Sequence, residues 1–300
     1  MMEIHFAPLQ GYADYVYLQA FNDIYGPTDA CYSPFIRIEK GEPRRQDMAR
    51  LARWDGLVPQ IIFNSPDEFK ALTSAIKQLG FKRIDMNLGC PFPMQTSRGR
   101  GAAMVANAQS MEEIADLVRA DADISYSVKM RLGLKQPDEW QAILPALNAM
   151  PLAHVTVHPR VATQMYDGDL HMRQFEHLLA ASSNPAIYNG DLHTVADIEE
   201  VARRYPALKG VMIGRGLLAR PSLIAEYRSG REWEQPERLN AIMMLHSAIL
   251  QTYADTLCGD TQVLQKIKPF WEYLEPEIGR KATKQLRKAS SLAKYRALLP

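Results

Sequence analysis

The chain has 300 residues, 47% of them hydrophobic, and a formal net charge of +1 at pH 7. A chain of this length and composition can bury a full core, either in one large domain or in a large domain with a small one. The totals exclude a uniformly basic nucleic-acid binder, and no apolar run approaches the roughly 20 residues that span a bilayer.

The three cysteines, Cys31, Cys90 and Cys258, are odd in number and widely spaced. This spacing predicts neither a disulfide framework nor a zinc site, and it is typical of reduced thiols in the cytosol. The first residues also lack the basic segment and the long apolar segment of a signal peptide. We therefore expect a cytoplasmic protein without a bound metal.

Short runs rich in β-forming residues recur through the first three-quarters of the chain, and their starts lie about 25 to 40 residues apart. These runs predict eight strands, at residues 4–9, 30–35, 58–63, 83–88, 125–131, 154–158, 186–189 and 210–214. Helices are predicted between several of them, at 66–79, 110–119 and 194–205. For the second of these helices we expect Ser110 as the N-cap, because Glu113 follows three residues later as in a capping box.

Eight strand–helix units in roughly 230 residues favour an α/β fold of the TIM-barrel type, the (β/α)8 barrel. The structural alternative is a doubly wound open sheet. That fold usually has fewer strands and a glycine-rich first turn, whereas the first turn here reads Pro8-Leu9-Gln10-Gly11. We predict a TIM-barrel catalytic domain over residues 1–231.

Strand patterns stop after about residue 230, and the rest of the chain predicts helices at 239–253, 262–274 and 281–298. We therefore predict a small all-α domain over residues 232–300. Its last 21 residues hold seven Lys or Arg and no Asp or Glu. On a helical wheel most of these, including Lys284, Arg287 and Lys288, fall on one face of a single helix that extends past Lys294. The simple interpretation is a solvated helix surface, and the functional interpretation is contact with phosphate groups.

In a TIM barrel the catalytic groups lie at the C-terminal ends of the strands. Polar residues stand at seven of the predicted strand ends, and such groups are costly in apolar strands unless they are satisfied. They are Gln10, Gln60, Asn87 with Cys90, Lys129 with Arg131, His158 with Arg160, Asn189 with Gly190 and Asp191, and Gly214 with Arg215 and Gly216.

Each of these groups has a purely structural alternative. Lys129 could reach solvent, His158 could be a hydrogen-bonded structural histidine, and residues 189–191 read as a turn. Their combination instead predicts a site for flavin mononucleotide (FMN) across the barrel mouth, with its phosphate near Gly190 and the Gly214 segment. Lys129 beside the N1/O2 edge of the flavin would stabilise the negative charge of the reduced ring.

Seven motifs along the chain resemble the tRNA-dihydrouridine synthase family, in the family's order and spacing. They are Ala7-Pro8-Leu9-Gln10-Gly11, Asn87-Leu88-Gly89-Cys90-Pro91, Gly99-Arg100-Gly101-Ala102-Ala103-Met104, Val128-Lys129-Met130-Arg131, Val157-His158-Pro159-Arg160, Asn189-Gly190-Asp191 and Gly214-Arg215-Gly216. A further segment, Ile267-Lys268-Pro269-Phe270-Trp271-Glu272-Tyr273-Leu274, resembles the family's C-terminal helical domain. The resemblance covers nearly the whole chain, and the motif around Cys90 is its most specific part.

The resemblance implies an enzyme that uses FMN and NADPH to reduce the C5=C6 bond of selected uridines in tRNA. The uridine must be flipped out of its stack to reach a barrel mouth. Hydride then passes from the reduced flavin to C6, and in the family the cysteine of the motif, here Cys90, gives a proton to C5. A thiol with an ordinary pKa near 8.5 is mostly protonated at neutral pH and can donate. A nucleophilic role for Cys90 is the alternative, and it would need a lowered pKa and a paired base.

The strand-end argument and the resemblance together predict the residues that bind the two ligands. The cofactor set is Pro8, Leu9, Gln10, Gln60, Lys129, His158, Asn189, Gly190, Asp191, Gly214 and Arg215. The tRNA set is Asn87, Arg98, Arg100, Arg160, Lys284, Arg287 and Lys288. The chain departs from the family at Leu9-Gln10, next to the expected flavin contact, and at Met94-Gln95, where many members carry a lysine that could reach tRNA. We expect tRNA as the only macromolecular partner.

Three other functions share parts of this pattern. A flavin barrel acting on a free pyrimidine, similar to dihydroorotate dehydrogenase, has the fold and a strand-end lysine, but a free pyrimidine does not need a basic helical tail. A tRNA-binding protein without catalysis would not need Cys90, Lys129 and His158 together. A Schiff-base aldolase using Lys129 leaves Cys90 and the tail without a role.

Overall fold

A computed structural model describes residues 2–300 of the chain. Its eleven strands include all eight predicted ones in order and approximate position, with 58–63 divided in two, and two short strands at 38–39 and 42–43 that were not predicted. They are β1 (Glu3–Phe6), β2 (Ala30–Tyr32), β3 (Ile38–Glu39), β4 (Glu42–Pro43), β5 (Leu57–Val58), β6 (Gln60–Ile61), β7 (Arg83–Leu88), β8 (Ser125–Gly133), β9 (Val155–Val161), β10 (Ala186–Tyr188) and β11 (Gly210–Ile213).

Helices separate most of the strands and make up the C-terminal part of the described chain. They are α1 (Tyr15–Tyr25), α2 (Arg45–Leu51), α3 (Pro66–Gln78), α4 (Pro93–Thr96), α5 (Ala108–Ala120), α6 (Leu144–Ala149), α7 (Met172–Ala181), α8 (Val195–Arg204), α9 (Arg215–Ala219), α10 (Leu223–Ser229), α11 (Gln235–Thr256), α12 (Asp260–Ile267), α13 (Glu275–Ile278), α14 (Arg280–Lys288) and α15 (Leu292–Arg296). None of the helices within residues 2–300 is long and apolar enough to cross a membrane.

The main sheet closes on itself. Its strand order is β5-β2-β1-β11-β10-β9-β8-β7-β6, and the strands that pair are parallel. The two outermost strands, β5 and β6, are consecutive in the chain and are separated only by Pro59. They therefore act as one strand that pairs with β2 on one side and β7 on the other, which gives eight strand positions in a ring. The predicted TIM barrel is confirmed, and the open doubly wound sheet is excluded.

The chain divides into two compact units. The first contains residues up to Pro8, Ala30–Gly190 and Tyr205–Met212, and it holds the barrel strands. The second contains Leu9–Asp29, Asp191–Arg204 and Ile213–Pro300. The second unit thus combines the C-terminal helices with α1 and α8, so its borders differ from the predicted division between residues 231 and 232. A separate domain over 232–300 stays a prediction.

The interior of the first unit contains a buried apolar cluster to which several strands contribute. Its members are Ala7, Ala30, Tyr32, Val58, Ile187 and Met212. Alternate residues of a barrel strand point inward, so side chains of this kind fill the barrel as a packed core. The polar residues described below lie on the same inward faces of neighbouring strands.

The predicted start of the helix at 110–119 is wrong. Helix α5 begins at Ala108, and its N-cap is Asn107, whose side chain accepts a hydrogen bond from the Ser110 backbone N–H. Asn107 competes successfully because asparagine caps as well as serine, and its earlier position adds nearly a turn to the helix. The predicted capping box at Ser110 is therefore absent.

The predicted single basic helix at 281–298 is also wrong. Helix α14 ends at Lys288, Ala289 adopts an extended conformation, and Ser291 caps a new helix, α15. Serine side chains bond readily to nearby backbone groups, so the two consecutive serines at 290–291 favour this break. Likewise α12 ends at Ile267, and a short 3-10 turn over Lys268–Trp271 replaces the rest of the predicted helix 262–274.

Candidate active site

Four neighbouring barrel strands bring the predicted polar residues of the first unit together. Gln60 on β6 lies beside Asp85 on β7, and Asn87 lies beside Lys129 on β8. His158 on β9 lies beside Arg131, the next inward residue of β8. These registers place the residues next to one another at the C-terminal ends of the strands, where TIM barrels hold their catalytic groups.

A chain of hydrogen bonds crosses three of these strands. Ser127 Oγ donates to Asp85 Oδ1 at 2.6 Å, and Gln60 Nε2 donates to Asp85 Oδ2 at 2.7 Å. Asn87 Nδ2 then donates to Gln60 Oε1 at 2.7 Å. An ionised carboxylate can only accept, so Asp85 determines which way the Gln60 amide faces, and Gln60 determines which way Asn87 faces.

The chain of hydrogen bonds ends at the backbone of the cysteine. Asn87 Oδ1 accepts hydrogen bonds from the backbone N–H groups of Cys90 at 2.8 Å and Gly89 at 3.1 Å. Behind the cysteine, Gly101 has a φ of +61°, and a Cβ there would lie 2.7 Å from the Cys90 carbonyl oxygen. The loop therefore needs glycine at position 101, and Cys90 is held from both sides.

Burial keeps the Cys90 thiol protonated. The residue is only 7% exposed, and this desolvation raises the pKa of its thiol against the opposing effects of a backbone hydrogen bond and of Arg131 and Lys129. A raised pKa is the opposite of what a thiolate nucleophile requires. The environment of Cys90 thus favours a proton donor over a nucleophile.

The buried carboxyl group of Asp85 and the half-buried ammonium group of Lys129 have opposite charges and interact in the barrel. Burial raises the pKa of Asp85 to about 6, although its hydrogen bonds and Lys129 oppose the rise. Burial and the neighbouring Arg131 lower the pKa of Lys129 to about 8, against the attraction of Asp85 and Cys90. At neutral pH both groups are therefore mostly charged. Among residues 2–300, Lys129 has no hydrogen-bond or ion-pair partner, so its ammonium group remains available to a ligand.

The arginines and the histidine beside Lys129 are held by protein groups. Arg131 Nη1 donates to the Val161 carbonyl at 3.0 Å. Arg160 donates to the Gly168 carbonyl at 2.7 and 3.1 Å, and its Nη1 lies 3.4 Å from His158 Nε2. Arg160 thus anchors the loop that follows β9. Its predicted contact with uracil stays a prediction, as does the predicted contact of His158 with the flavin.

The two predicted tRNA-binding arginines after Cys90 differ from one another. Arg98 is exposed, and its side chain has no hydrogen-bond or ion-pair partner within residues 2–300. Arg100 is 5% exposed and makes an ion pair with Glu68 through two of its nitrogens. The geometry therefore leaves the charge of Arg98 available for contact with RNA, whereas Glu68 offsets the charge of Arg100.

Asn189, Gly190 and Pro8 belong to the first unit. Asn189 Nδ2 donates to the Met212 carbonyl at 2.7 Å, which ties the end of β10 to β11. A Cβ at Gly190 would lie 3.0 Å from the Tyr188 hydroxyl, so the chain leaves little room for a side chain there. The flavin contacts predicted for these three residues stay predictions.

The remaining predicted cofactor residues belong to the second unit. Arg215 and Asp191 form an ion pair at 3.4 Å. A Cβ at Gly216 would overlap the Leu192 carbonyl oxygen, which requires glycine at that position. Leu9 accepts two backbone hydrogen bonds in a tight turn, and Gln10 at that turn is exposed. The flavin contacts predicted for this group also stay predictions.

The second unit also presents the basic helix. On α14 the buried side is formed by Thr283 and Leu286, while Lys284 and Lys288 are exposed. Arg287 is exposed too, but it donates to Glu272 at 3.0 Å. Lys284 and Lys288 are therefore the two predicted residues of this helix whose charge is not offset by such a pair within residues 2–300.

Asp85 and Ser127 are site residues that the sequence argument misses. Asp85 precedes Asn87 by two residues, and Ser127 precedes Lys129 by two. Residues two apart in a strand share a face, so this spacing is a usable signal. Their pairing with Gln60 depends on the strand register, which the sequence does not display.

Solved structures share this fold. The old yellow enzyme from Trypanosoma cruzi matches with a TM-score of 0.52 at 10% identity, covering 77% of this chain and 89% of that one. Morphinone reductase matches with a TM-score of 0.50 at 12% identity, covering 78% and 87%. Identities this low establish the fold alone. The fold and the site define the class of the protein as a TIM barrel that holds a lysine and a protonated thiol at its mouth.

Sequence relatives are more specific. The dihydrouridine synthase (Dus) family model matches residues 5–296. The probable tRNA-dihydrouridine synthase of Staphylococcus epidermidis (strain ATCC 35984) is 26% identical over 306 residues, which cover 98% of this chain and 91% of that protein. The tRNA-dihydrouridine(16) synthase of Cupriavidus necator is 30% identical over 252 residues, which cover 78% of each chain. The chain belongs to the dihydrouridine synthase family.

Proposed function

We propose that this protein reduces the C5=C6 bond of uridine in tRNA to give dihydrouridine, with FMN as cofactor and NADPH as reductant. Membership of the family supports the reaction. The main structural support for this reaction is the buried, protonated thiol of Cys90, whose backbone is held by Asn87 at the mouth of the barrel. A tRNA substrate also supports the expected cytoplasmic location.

The residues of the first unit fit a flavin. The Lys129 ammonium group, which binds no other side chain among the described residues, can face the N1/O2 edge of the ring. When bound, FMN supplies the hydride. Lys129 stabilises the negative charge that the reduced ring carries, and the charge of Asp85 helps to keep Lys129 protonated at neutral pH. Gln60 is committed to Asp85 and Asn87, so we assign it the positioning of Asn87 in addition to its predicted contact with the cofactor.

Cys90 supplies the proton to C5 of the uracil. Its raised pKa keeps the proton on sulfur until negative charge develops on the base, and the fixed backbone keeps the donor in place. The second N–H of the Asn87 amide can donate to a uracil carbonyl because only one is used by Gln60. Burial of Cys90 and Asn87 at the barrel mouth requires the uridine to leave its stack.

The exposed lysines of α14 are proposed to bind the tRNA backbone. Lys284 and Lys288 face solvent without an ion pair within residues 2–300, and phosphate contacts of this kind dominate affinity for nucleic acids. We include Arg287 in this surface but expect it to contribute less to tRNA affinity, because it already donates to Glu272. We further propose residues 232–300 as the tRNA-binding domain.

The test is dihydrouridine formation, read by mass spectrometry, in tRNA from a strain that lacks this modification, with NADPH as reductant. We expect product with the wild-type protein.

The variant Cys90→Ala should retain bound flavin and its reduction by NADPH. Its rate of product formation should fall at least about 100-fold, since general acid catalysis contributes this much. Consumption of NADPH without product in tRNA, combined with reduction of a free pyrimidine, would overturn the proposal.

A further inference from the structure

A cleft of about 500 Å³ lies beside the loop that carries Cys90. One wall is the β3–β4 hairpin, whose tip is Lys40-Gly41, and the other is formed by α4 and the residues that follow it. The same segment connects the cleft to the proposed proton donor. Arg100 lines the cleft, and two residues later the Ala102 backbone N–H donates to the Cys90 carbonyl at 3.1 Å.

Two buried polar atoms of the cleft lining have no hydrogen-bond partner among residues 2–300. They are Arg100 Nη1, a donor, and Gln95 Oε1, an acceptor. Their residues are only 5% and 6% exposed, and the Arg100 backbone N–H donates to the Gln95 carbonyl at 3.1 Å. Leaving a buried donor and a buried acceptor unpaired is costly, so a ligand that bonds to both atoms is favoured.

The rest of the lining favours a phosphate next to this pair. Arg37, Lys40 and Arg98 line the cleft together with Arg100, against two acidic residues, Glu39 and Glu68. Glu68 is bound to Arg100, and Glu39 lies 3.5 Å from Arg37. Arg98 keeps an unpaired positive charge within the part of the chain described, which leaves the cleft with a net positive charge.

We propose that this cleft binds one ribose–phosphate unit of the RNA substrate. The ribose hydroxyl accepts a hydrogen bond from Arg100 Nη1 and donates one to Gln95 Oε1, and the phosphate lies at Arg98. A hydroxyl is the group that is both donor and acceptor, and the 2′-hydroxyl is what distinguishes RNA from DNA. To reach the two atoms the sugar must enter between the hairpin and the loop. The inference rests on the proposed tRNA substrate and locates the backbone of that substrate beside Cys90.

NADPH also contains ribose and phosphate, so it could occupy the same cleft. Binding of tRNA and reduction of the flavin by NADPH are therefore measured separately on the flavin-loaded protein. The variants are Gln95→Leu, Arg98→Gln and the double variant, with Lys70→Gln on α3 as a control that removes one exposed charge outside the cleft. We expect each cleft variant to weaken tRNA binding about tenfold, as for the loss of one charged or buried hydrogen bond. Flavin reduction by NADPH without tRNA should be unchanged. Unchanged tRNA binding, or a loss confined to NADPH reduction, would overturn the proposal.

A second measurement isolates the hydroxyl. Binding of RNA stem-loops with single 2′-deoxy substitutions around the target uridine should drop at one position with the wild-type protein, and Gln95→Leu should abolish that discrimination. Equal binding of every deoxy-substituted RNA would mean that Arg100 and Gln95 serve water alone, and the proposal would fail. Because binding does not require turnover, this readout stands even if no uridine is reduced. Gln95→Leu should also leave the melting temperature unchanged or higher, since Gln95 Oε1 has no partner to lose within residues 2–300.

Discussion

Asp85 is the single residue on which the geometry of the site depends most. It is fully buried, and it sets the orientation of two amides in succession, Gln60 and Asn87, before the chain of hydrogen bonds reaches the Cys90 backbone. A neighbouring charge, Lys129, offsets part of the cost of burying its carboxylate. Asp85 touches neither the proposed substrate nor the thiol, so we regard it as a positioning residue.

Replacing Asp85 by asparagine should disturb this order. Asparagine has one oxygen, so it can accept from Ser127 or from Gln60 but not from both through separate oxygens. The Gln60 amide would have to turn, and Asn87 would lose its hold on Cys90. We expect uridine reduction in a single turnover to slow by about 10- to 100-fold, the cost of one to two buried hydrogen bonds left unmade.

The control for this experiment is Ser127→Ala, which removes one hydrogen bond but leaves the carboxylate and both amides as they are. It should slow the reaction less than Asp85→Asn does. Equal rates for wild type and Asp85→Asn, with flavin bound in both, would show that the orientation of the two amides does not matter to Cys90.

The raised pKa of Asp85 also predicts how stability depends on pH. The folded-state pKa is about 6 and the ordinary value is 3.8, so between these values the unfolded chain has released a proton that the folded protein still holds. The contribution of Asp85 to stability is therefore present at low pH and is lost as pH rises through about 6. The difference between the two pKa values corresponds to a loss of at most about 3 kcal/mol.

Urea unfolding of wild type and Asp85→Asn at several pH values between about 3 and 7 measures this loss, since the range brackets both pKa values. The difference in unfolding free energy between the two proteins should shrink as pH rises over this range and level off above it. A difference that does not change with pH would mean that Asp85 has an ordinary pKa in the folded protein.

At the scale of elements, the break between α14 and α15 changes what the basic tail can present. A single helix at 281–298 would have aligned its cations along one line, whereas Ala289 and Ser291 direct the chain into a second short helix. Only α14 therefore presents a continuous basic face. Within α14, Lys284 and Lys288 are the predicted residues without an acidic partner among residues 2–300.

We expect the double variant Lys284→Glu and Lys288→Glu to weaken tRNA binding strongly. The slope of log affinity against log salt should fall by roughly two, one for each phosphate group that a lysine no longer neutralises. Arg287→Gln alone should have a smaller effect, since Arg287 already donates to Glu272. Affinity is measured by fluorescence anisotropy at several salt concentrations. The control is Lys70→Glu on α3. An equal loss of affinity in this control would mean that the effect of the α14 variant comes from the change in overall charge.

At the scale of the whole molecule, the order of strands and helices is predictable because each strand carries a local pattern of β-forming residues. The division of one barrel strand into two short strands is not predictable in this way. The run at 58–63 predicts one strand, but proline at position 59 has no N–H, so the hydrogen bonding divides there into β5 and β6. The same limit applies to the site: Cys90, Lys129 and His158 follow from motifs, while the link from Asp85 to Gln60 joins strands that only the register brings together.

The order in which the strands pair has a further consequence for how the protein acquires its activity. The polar chain that holds Cys90 joins β6, β7 and β8, and its bonds span only 25 to 42 residues of sequence. The ring itself closes between β1 and β11, where the Glu3 backbone N–H donates to the Lys209 carbonyl at 3.2 Å. Contacts that are near in sequence cost less loop entropy, so we expect the support of the proton donor to assemble before the ring closes. A folding intermediate with the β1–β11 seam open would then already hold Cys90 in place.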